Sequence, residues 1–316
     1  MSILITGGTG FLGSHLARRL VLEKQHDDVV LFDRYPAEER IEDIRDRVTI
    51  VPGDVLDRRS LLDTMTEHDV DRVAHLAFMP GTAHPEKIVP YVELTCVGTA
   101  TVFDAARLHG VQRLVNASSM AVYGAATGTE LTEDDPARPT VLYGSCKLWT
   151  EQLAEIFRRE HGLDILSLRV CATMGYGRLR RASNAAGLMH AEKPHFMAYP
   201  ELAAQGMPVT MPPDDQLTEF LYATDAAEAW CLALAAPTPE HAVFNLTAGR
   251  CAVGDITREL RRLLPDAQIS VADAPAAPGP LMSNNRLVQE LGFRPAYTPE
   301  TGLAEYLRQV RERADP

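Results

Sequence analysis

The sequence predicts an α/β fold with a doubly wound parallel sheet and a smaller C-terminal lobe. Through the first 170 residues, short β-branched runs alternate with amphipathic stretches. This alternation is typical of a parallel sheet covered by helices on both faces. After about residue 170 it loosens, and Gly, Pro and Met become frequent between residues 175 and 213. We expect a first domain over residues 1–170 and a lobe over 171–316, part of which (about 223–250) rejoins the sheet.

The individual elements follow from the period of the apolar residues. In residues 11–22, Leu12, Leu16 and Leu20 fall on one helical face. The predicted strands are residues 2–6, 29–32, 48–51, 72–76, 112–117, 165–168 and 243–246. The predicted helices are residues 11–22, 60–67, 89–108, 143–161, 223–235, 254–264 and about 299–313, and a Pro-rich loop covers 275–280.

Composition narrows the class of protein. Lys plus Arg is 31 and Asp plus Glu is 43, giving a formal charge of −12, which argues against a nucleic-acid partner. We find no run of about 18 apolar residues and no leader sequence, so we expect a cytoplasmic protein without a membrane span. The five cysteines form no C-x-x-C pair. We therefore expect reduced thiols and no metal site.

A glycine-rich segment follows the first predicted strand directly. Gly7, Gly10 and Gly13 give the spacing G-x-x-G-x-x-G, with Phe11 and Leu12 opening the next helix. Glycine permits the tight turn and lets the backbone approach a pyrophosphate closely. The positive end of the helix then faces the phosphates. The segment therefore predicts a dinucleotide site.

Acidic residues after the next two strands predict how the adenosine is held. Asp33 ends the second strand, 20 residues after Gly13, where a carboxylate can accept both ribose hydroxyls and would repel a 2′-phosphate. This favours NAD, although the neighbouring Arg34 keeps NADP open. Asp54 follows the third strand, where we expect it to bond the adenine amino group. The cofactor site is completed by Val55 and, at the fourth strand, by Leu76 and Ala77.

The catalytic groups are predicted from a second pair of motifs. Tyr143 and Lys147 form Y-x-x-x-K on a helix, so both lie on one face. A phenol has a pKa near ~10, and a nearby cation lowers it, so Tyr143 can exchange the proton of a carbinol. Lys147 can also bind the nicotinamide ribose. Ser119 follows the fifth strand, whose end meets the same crevice as the first strand, and we expect it to hydrogen-bond the reacting oxygen.

With these motifs the chain resembles the extended short-chain dehydrogenase/reductases, the NAD-dependent epimerase/dehydratase family, over nearly its whole length. The resemblance rests on the glycine loop, Ser118-Ser119-Met120-Ala121-Val122-Tyr123-Gly124, the Tyr-x-x-x-Lys element and the tail from Leu287 to Pro295. It implies a Rossmann fold, bound NAD, a small-molecule substrate and a homodimer formed through residues 89–108 and 143–161. It also adds Thr95, Ser118 and Val170 to the cofactor site.

The resemblance also narrows the reaction. Family dehydratases and decarboxylases carry an acid just before Val-Tyr-Gly, where this chain has Met120 and Ala121. The segment is more similar to that of the 4-epimerases and simple dehydrogenases. Matched onto the family pattern, the substrate-binding residues are Met79, Ser119, Met120, Ala172, Thr173 and Arg178.

Some positions depart from the nucleotide-sugar pattern. Ala172 stands where the family usually has Asn, and Thr218 where it has a diphosphate-binding Arg. Glu219 beside it would repel a phosphate. Arg178, Arg180 and Arg181 could supply the positive charge that the missing Arg would have given to a diphosphate.

Three functions stay open at this point. The first is an epimerase of a sugar or sugar-like substrate, with the dinucleotide retained through turnover. The second is a dehydrogenase or ketone reductase of a small or natural-product substrate, with an exchanging cofactor. The third is a non-catalytic dinucleotide sensor. The presence of both Tyr143 and Lys147 argues against the sensor.

Overall fold

The computed structural model describes residues 2–79, 88–125, 128–179, 195–273 and 279–313. The described residues contain fourteen strands, and seven of them form a parallel sheet. The strands are β1 (Ser2–Thr6), β2 (Val29–Asp33), β3 (Thr49–Pro52), β4 (Val70–His75), β5 (Arg113–Ser119), β6 (Glu130–Leu131), β7 (Ile165–Val170), β8 (Thr173–Met174), β9 (Val209–Met211), β10 (Leu217–Tyr222), β11 (Val243–Leu246), β12 (Gly249–Ala252), β13 (Ile269–Val271) and β14 (Leu281–Met282). The large sheet has the order β3-β2-β1-β4-β5-β7-β11.

Helices cover both faces of this sheet. The α-helices are α1 (Phe11–Arg18), α2 (Arg58–Glu67), α3 (Ile88–Val92), α4 (Gly98–His109), α5 (Leu142–His161), α6 (Tyr199–Ala204), α7 (Ala223–Ala235), α8 (Val253–Leu263), α9 (Asn285–Leu291) and α10 (Pro299–Glu312). A π-helical turn, Arg19–Glu23, continues α1, and another, Glu93–Val97, joins α3 to α4. The doubly wound α/β fold predicted from the sequence is confirmed.

Alternation along β1 shows how the two faces are filled. Ile3 and Ile5 join a core with α1 and α7, whereas Leu4 joins a second core with α2, α4 and α5. Successive side chains of a strand point to opposite faces, so a strand with helices on both sides is apolar throughout. The strand order reverses between β1 and β4, and the crevice at this point is where such folds bind ligands.

A third core holds the smaller lobe together. Phe220 and Tyr222 of β10 pack there with residues of α6, α8 and α10, while Leu221 between them faces the main core. Three small sheets, β12-β10-β8, β13-β9 and β14-β6, accompany this core, and β6 is their one strand from the first 170 residues. Their strands have two to six residues and were not predicted, because packing rather than periodicity decides such short segments. The chain also returns to the main sheet, since β11 pairs in parallel with β7.

One helical segment requires a correction to the hydropathy analysis. By length and composition alone, Ile88–His109 could cross a membrane, with a mean hydropathy of 1.2 in its most apolar window. The sequence analysis looked for an uninterrupted apolar run, which this segment lacks. About 39% of that window is buried, and Val102 and Phe103 lie in the second core. Core helices of soluble proteins pass the same test.

Candidate active site

The glycine loop lies at the reversal point of the sheet and is held there by close packing. Gly7 has φ +68°, and a Cβ at this position would lie 2.8 Å from Cα of Ala77, just after β4. A Cβ on Gly13 would lie 2.3 Å from the carbonyl oxygen of Gly7. Neither position accepts a side chain without backbone movement. The loop therefore brings the start of α1 against the end of β4.

The first turn of α1 presents unused donors. The N–H of Gly10 donates a hydrogen bond to the carbonyl oxygen of Gly7 at 2.9 Å. The next backbone N–H along the chain that donates a hydrogen bond is that of Ser14. Across the described residues, no acceptor takes the N–H groups of Phe11, Leu12 and Gly13. Free N–H groups at a helix N-terminus bind anions, so this turn fits a dinucleotide diphosphate.

The acidic side chains predicted to hold the adenosine lie at the ends of β2 and β3, on the same edge of the sheet as the glycine loop. Asp33, at the end of β2, accepts hydrogen bonds from the N–H and hydroxyl of Thr9. Arg34 is exposed, and its guanidinium lies 3.1 Å from the carboxylate of Asp54. This ion pair partly neutralises the cation that kept NADP open. The arrangement fits an adenosine ribose without a 2′-phosphate.

The remaining residues predicted for the cofactor lie along the ends of the strands. Val55 is buried against Gly98 of α4. Leu76 is buried, and Ala77 contacts the glycine loop. Thr95 is buried in the π-helical turn and Val170 is half-buried at the end of β7.

Ser119 and Tyr143 come together at the end of β5. Ser119 caps a 3-10 turn, Met120–Tyr123, and its Oγ accepts from the N–H of Ala121 at 3.2 Å. Its hydroxyl also lies near the phenol of Tyr143 in the first turn of α5, close enough to favour the ionised phenol. Burial raises the pKa of Tyr143, while Ser119 and the charge of Arg178 oppose the rise. The fold therefore brings the two side chains together at the end of β5.

Lys147 is held in place by a backbone carbonyl at the end of β5. Its buried ammonium donates to the carbonyl of Ala117 at 2.7 Å. Burial lowers the pKa of Lys147 to about 8. The charge that favours the ionised phenol of Tyr143 in this structure is that of Arg178, and the role expected for Lys147 stays a prediction. The helical spacing puts the two side chains on one face, yet the carbonyl at the end of β5 takes the ammonium.

The prediction that the side chain of Ser118 binds the cofactor also requires a correction. It is 2% exposed and its hydroxyl donates to Glu151 of α5. Glu151 forms a buried ion pair with Arg169 of β7, whose guanidinium also bonds the hydroxyl of Tyr123 at 2.7 Å. Adjacent strand residues face opposite ways, so Ser118 points away from Ser119. Its network ties β5, α5 and β7 together beneath the site.

Two aromatic residues near the phenol were missed by sequence reasoning. The ring of Phe78, just after β4, lies 5.6 Å from that of Tyr143 and is 47% exposed. The buried ring of Tyr91 lies 6.4 Å from Tyr143 and 6.5 Å from Phe78. Such edge contacts stabilise aromatic pairs. The available signal was the position of Phe78, directly after the strand that borders the crevice.

The residues predicted to bind substrate have different environments. Met79, Met120, Ala172 and Arg178 are half-buried. Thr173 is 2% exposed and its hydroxyl donates to the carbonyl of Cys171. Since β8 pairs with β10 and encloses this side chain, it cannot face a ligand as predicted. Its own carbonyl holds Arg178 instead.

Glu219 does not direct its charge at a ligand. The buried carboxylate accepts hydrogen bonds from the hydroxyl of Thr247 and from the N–H of Met282 at 2.9 Å. The expectation that it would repel a phosphate is therefore wrong. Of the suggested replacement cations, Arg180 and Arg181 lie outside the described residues.

No cluster of His, Cys, Asp or Glu within the described ranges could hold a metal ion. His75, at the end of β4, is buried between the hydroxyls of Thr6 and Thr99, at 2.7 and 2.9 Å. Burial lowers its pKa to about 3, which keeps the imidazole neutral.

Comparison with known proteins agrees with this geometry. The model of the NAD dependent epimerase/dehydratase family matches residues 3–247. A UDP-glucose 4-epimerase of Corynebacterium glutamicum is 28% identical, over 94% of this chain and 92% of its own. A dTDP-glucose 4,6-dehydratase of Actinoplanes is 25% identical over 98% of both chains. The structure of Thermus thermophilus UDP-glucose 4-epimerase with NAD superposes with a TM-score of 0.82 at 25% identity, covering 98% of this chain and 99% of the other. The chain therefore belongs to the NAD dependent epimerase/dehydratase family.

Proposed function

We propose that this protein is an NAD-dependent epimerase acting at a secondary alcohol carbon of a sugar or nucleotide-linked sugar. The observation that carries the proposal is the proximity of Ser119 to the phenol of Tyr143, at the same sheet edge as the free N–H groups of α1. The similarity to UDP-glucose 4-epimerases over more than nine-tenths of both chains supports the substrate class.

Bound NAD supplies a hydride acceptor and a hydride donor. The N–H groups of Phe11, Leu12 and Gly13 would hold its diphosphate, and Asp33 its adenosine ribose. Tyr143 takes the proton from the substrate hydroxyl as the alcohol is oxidised, and returns it when the ketone is reduced. Ser119 donates a hydrogen bond to the same oxygen. The Lys147 ammonium stabilises the site electrostatically next to the end of β5.

The position before Val122 favours epimerisation over dehydration. Met120 and Ala121 occupy the turn that Ser119 caps, and neither side chain can carry a proton. Elimination of water needs an acid or base beside the sugar in addition to Tyr143. The pKa of Tyr143 is shifted by burial, by the hydroxyl of Ser119 and by the charge of Arg178, and no carboxylate is among these causes. This supports the epimerase although a dehydratase is also among the relatives.

A reductase with an exchanging cofactor is the second candidate. It is favoured by Ala172 and by Thr218, whose hydroxyl donates to the carbonyl of Glu219. Neither position offers the amide or guanidinium that the nucleotide-sugar pattern has. Glu219 had also argued against a nucleotide-sugar substrate, because its charge would repel a phosphate. Its hydrogen bonds with Thr247 and Met282 remove that argument.

The fate of the cofactor separates the two candidates. The purified protein is denatured and its released dinucleotide is separated chromatographically and quantified. Nearly one NAD per chain, together with epimerisation of UDP-glucose or a related sugar without added NAD, is the expected result. A protein that carries no dinucleotide but binds NAD(H) or NADP(H) reversibly would contradict the epimerase and support the reductase.

We also propose the division of the chain and its assembly. Residues 1–170 would hold NAD, and residues 171–316 would hold the substrate and return to the sheet at α7 and β11.

Exposed apolar side chains on the two long helical segments, Val97 and Leu108 on one and Trp149 and Ile156 on the other, support a homodimer that pairs these helices. This explains the apolar character of Ile88–His109 without a membrane. The five free cysteines suit a cytoplasmic location.

A further inference from the structure

A cluster of charged and aromatic side chains joins the smaller lobe to the helix that follows the glycine loop. Its centre is Asp43, in the 3-10 turn Glu42–Arg47 between β2 and β3. The guanidinium of Arg18, at the end of α1, donates two hydrogen bonds to the Asp43 carboxylate, both at 2.7 Å. Arg313, which directly follows α10, donates to the same carboxylate at 3.3 Å. One carboxylate therefore binds a cation from each lobe.

The position and the charge of Asp43 are both well defined. The neighbouring Ile41 and Ile44 are buried in the main core, which anchors the turn. Burial raises the pKa of Asp43, but the hydrogen bond and charge of Arg18 and the charge of Arg313 outweigh it, so the pKa is lowered. An isolated ion pair near the surface contributes little, whereas a bidentate pair that shares its carboxylate with a second cation contributes more.

The same cluster holds residues Gly175–Arg178, which follow β8 and which we call the closing segment. The guanidinium of Arg313 stands over the ring of Tyr176, 4.9 Å from its centroid. On α1, Nε2 of His15 lies 3.1 Å from the carbonyl oxygen of Tyr176. Burial lowers the pKa of His15 to about 4, so the ring is neutral near pH 7. Because a carbonyl oxygen only accepts, Nε2 carries the hydrogen of this bond.

The closing segment lies against the first turn of α1. A Cβ on Gly175 would lie 3.4 Å from the ring of Phe11, and the guanidinium of Arg178 stands 5.7 Å from the centroid of that ring. Phe11 is the first residue of the turn whose free N–H groups fit the cofactor diphosphate. A dinucleotide bound to those groups would therefore lie beside the closing segment.

We propose that Asp43 and Arg313 determine how long the protein retains NAD, by holding the closing segment against the first turn of α1. Neither side chain needs to touch the cofactor, because Asp43 acts through Arg313, and Arg313 acts through Tyr176. They are positioning residues. Movement of the closing segment away from α1 would break these contacts and open the diphosphate site. The inference rests on the proposed function, since a retained cofactor distinguishes the epimerase from the reductase.

The rate of NAD release tests this inference. Each protein is loaded with NAD and mixed with an excess of NADH, whose fluorescence on binding reports the departure of NAD. The wild type, Asp43→Asn, Arg313→Met and the double variant are compared. Asp63→Asn is the control, because Asp63 pairs with Arg59 on the exposed surface of α2 and joins no second lobe.

We expect Asp43→Asn to release NAD about fivefold faster than the wild type, and Arg313→Met about threefold faster. The two effects should not multiply in the double variant, because both substitutions remove the same ion pair. Added salt should speed release from the wild type by screening that pair, and should speed release from Asp43→Asn less. A merely structural role would lower the melting temperature of the NAD-free protein and leave this difference in salt dependence out.

Release rates of Asp43→Asn and Arg313→Met equal to that of the wild type would overturn the inference, and so would the same acceleration in Asp63→Asn. No sugar turnover enters these measurements, so the two proposals can fail separately. Faster release from both variants of a protein that epimerises no sugar would keep the role of the closing segment and contradict the proposed reaction. Unchanged release in an active epimerase would do the reverse.

Discussion

Thr9 donates two hydrogen bonds to the carboxylate of Asp33, from its backbone nitrogen at 3.2 Å and from its hydroxyl at 2.8 Å. The same hydroxyl accepts from the N–H of Ala37 at 3.0 Å. The glycine loop and the end of β2 are thus joined at one side chain. This fixes the direction of the Asp33 carboxylate before any ligand is bound.

Asp33→Asn should shift the cofactor preference. Removing the charge removes the repulsion of a 2′-phosphate and weakens acceptance from the ribose hydroxyls. We expect the ratio of NAD to NADP affinity to fall about tenfold or more. Dissociation constants for both reduced cofactors, measured by fluorescence, give this ratio. Asp57→Asn, at the exposed N-cap of α2, is the control, and an unchanged ratio in Asp33→Asn would contradict the assignment.

Tyr143→Phe should abolish most of the activity while leaving the cofactor bound. The substitution removes the proton-exchanging hydroxyl but keeps the ring against Phe78 and Tyr91. We expect kcat to fall by about a hundredfold or more, with little change in NAD affinity. Tyr199→Phe, a buried ring of the smaller lobe, should keep wild-type turnover. Turnover near the wild-type value in Tyr143→Phe would rule out the mechanism.

The buried ammonium of Lys147 predicts a dependence of stability on pH. Its pKa is about 8 in the folded chain, against an ordinary value of 10.5. Between these values the unfolded chain holds a proton that the folded chain lacks, so the free energy of unfolding rises with pH. The contribution reaches about 2 to 3 kcal/mol at the top of this window.

Urea denaturation of the cofactor-free protein at pH 8 and pH 10 measures this effect. Lys147→Met should lose this rise, whereas Lys24→Met, which changes a more exposed side chain, should keep the wild-type dependence. If the wild type and Lys147→Met showed the same change between the two pH values, the pKa of Lys147 would not be lowered by burial in the folded chain.

The assembly is tested at the exposed faces of the two long helices. Trp149→Glu puts a charge at the centre of the proposed interface, where desolvation of an unpaired carboxylate is costly. Sedimentation should show a dimer for the wild type and a shift to monomer for the variant. Leu22→Glu, an equally exposed apolar position outside these helices, is the control. Identical masses for wild type and Trp149→Glu would exclude this surface as the interface.

Local sequence was sufficient for the main sheet and for the motifs. The six strands of the first half and the long helices were predicted to within two or three residues, except where π-helical turns interrupt or end a helix. Period, glycine spacing and helical i to i+4 spacing are properties of neighbouring residues, so they are visible without the fold. The family could be identified for the same reason, because its motifs are short and continuous.

Tertiary structure alone decided which polar groups are still free to act. Ser118 and Ser119 are adjacent, yet Ser118 donates to Glu151 while Ser119 lies near the phenol of Tyr143. Glu219 was predicted to repel a phosphate, and its carboxylate is instead bonded to Thr247 and Met282. Arg178, in contrast, lacks any acidic partner among the described residues. Each of these outcomes depends on pairing between residues tens of positions apart, and a sequence determines such pairing only through the packed fold.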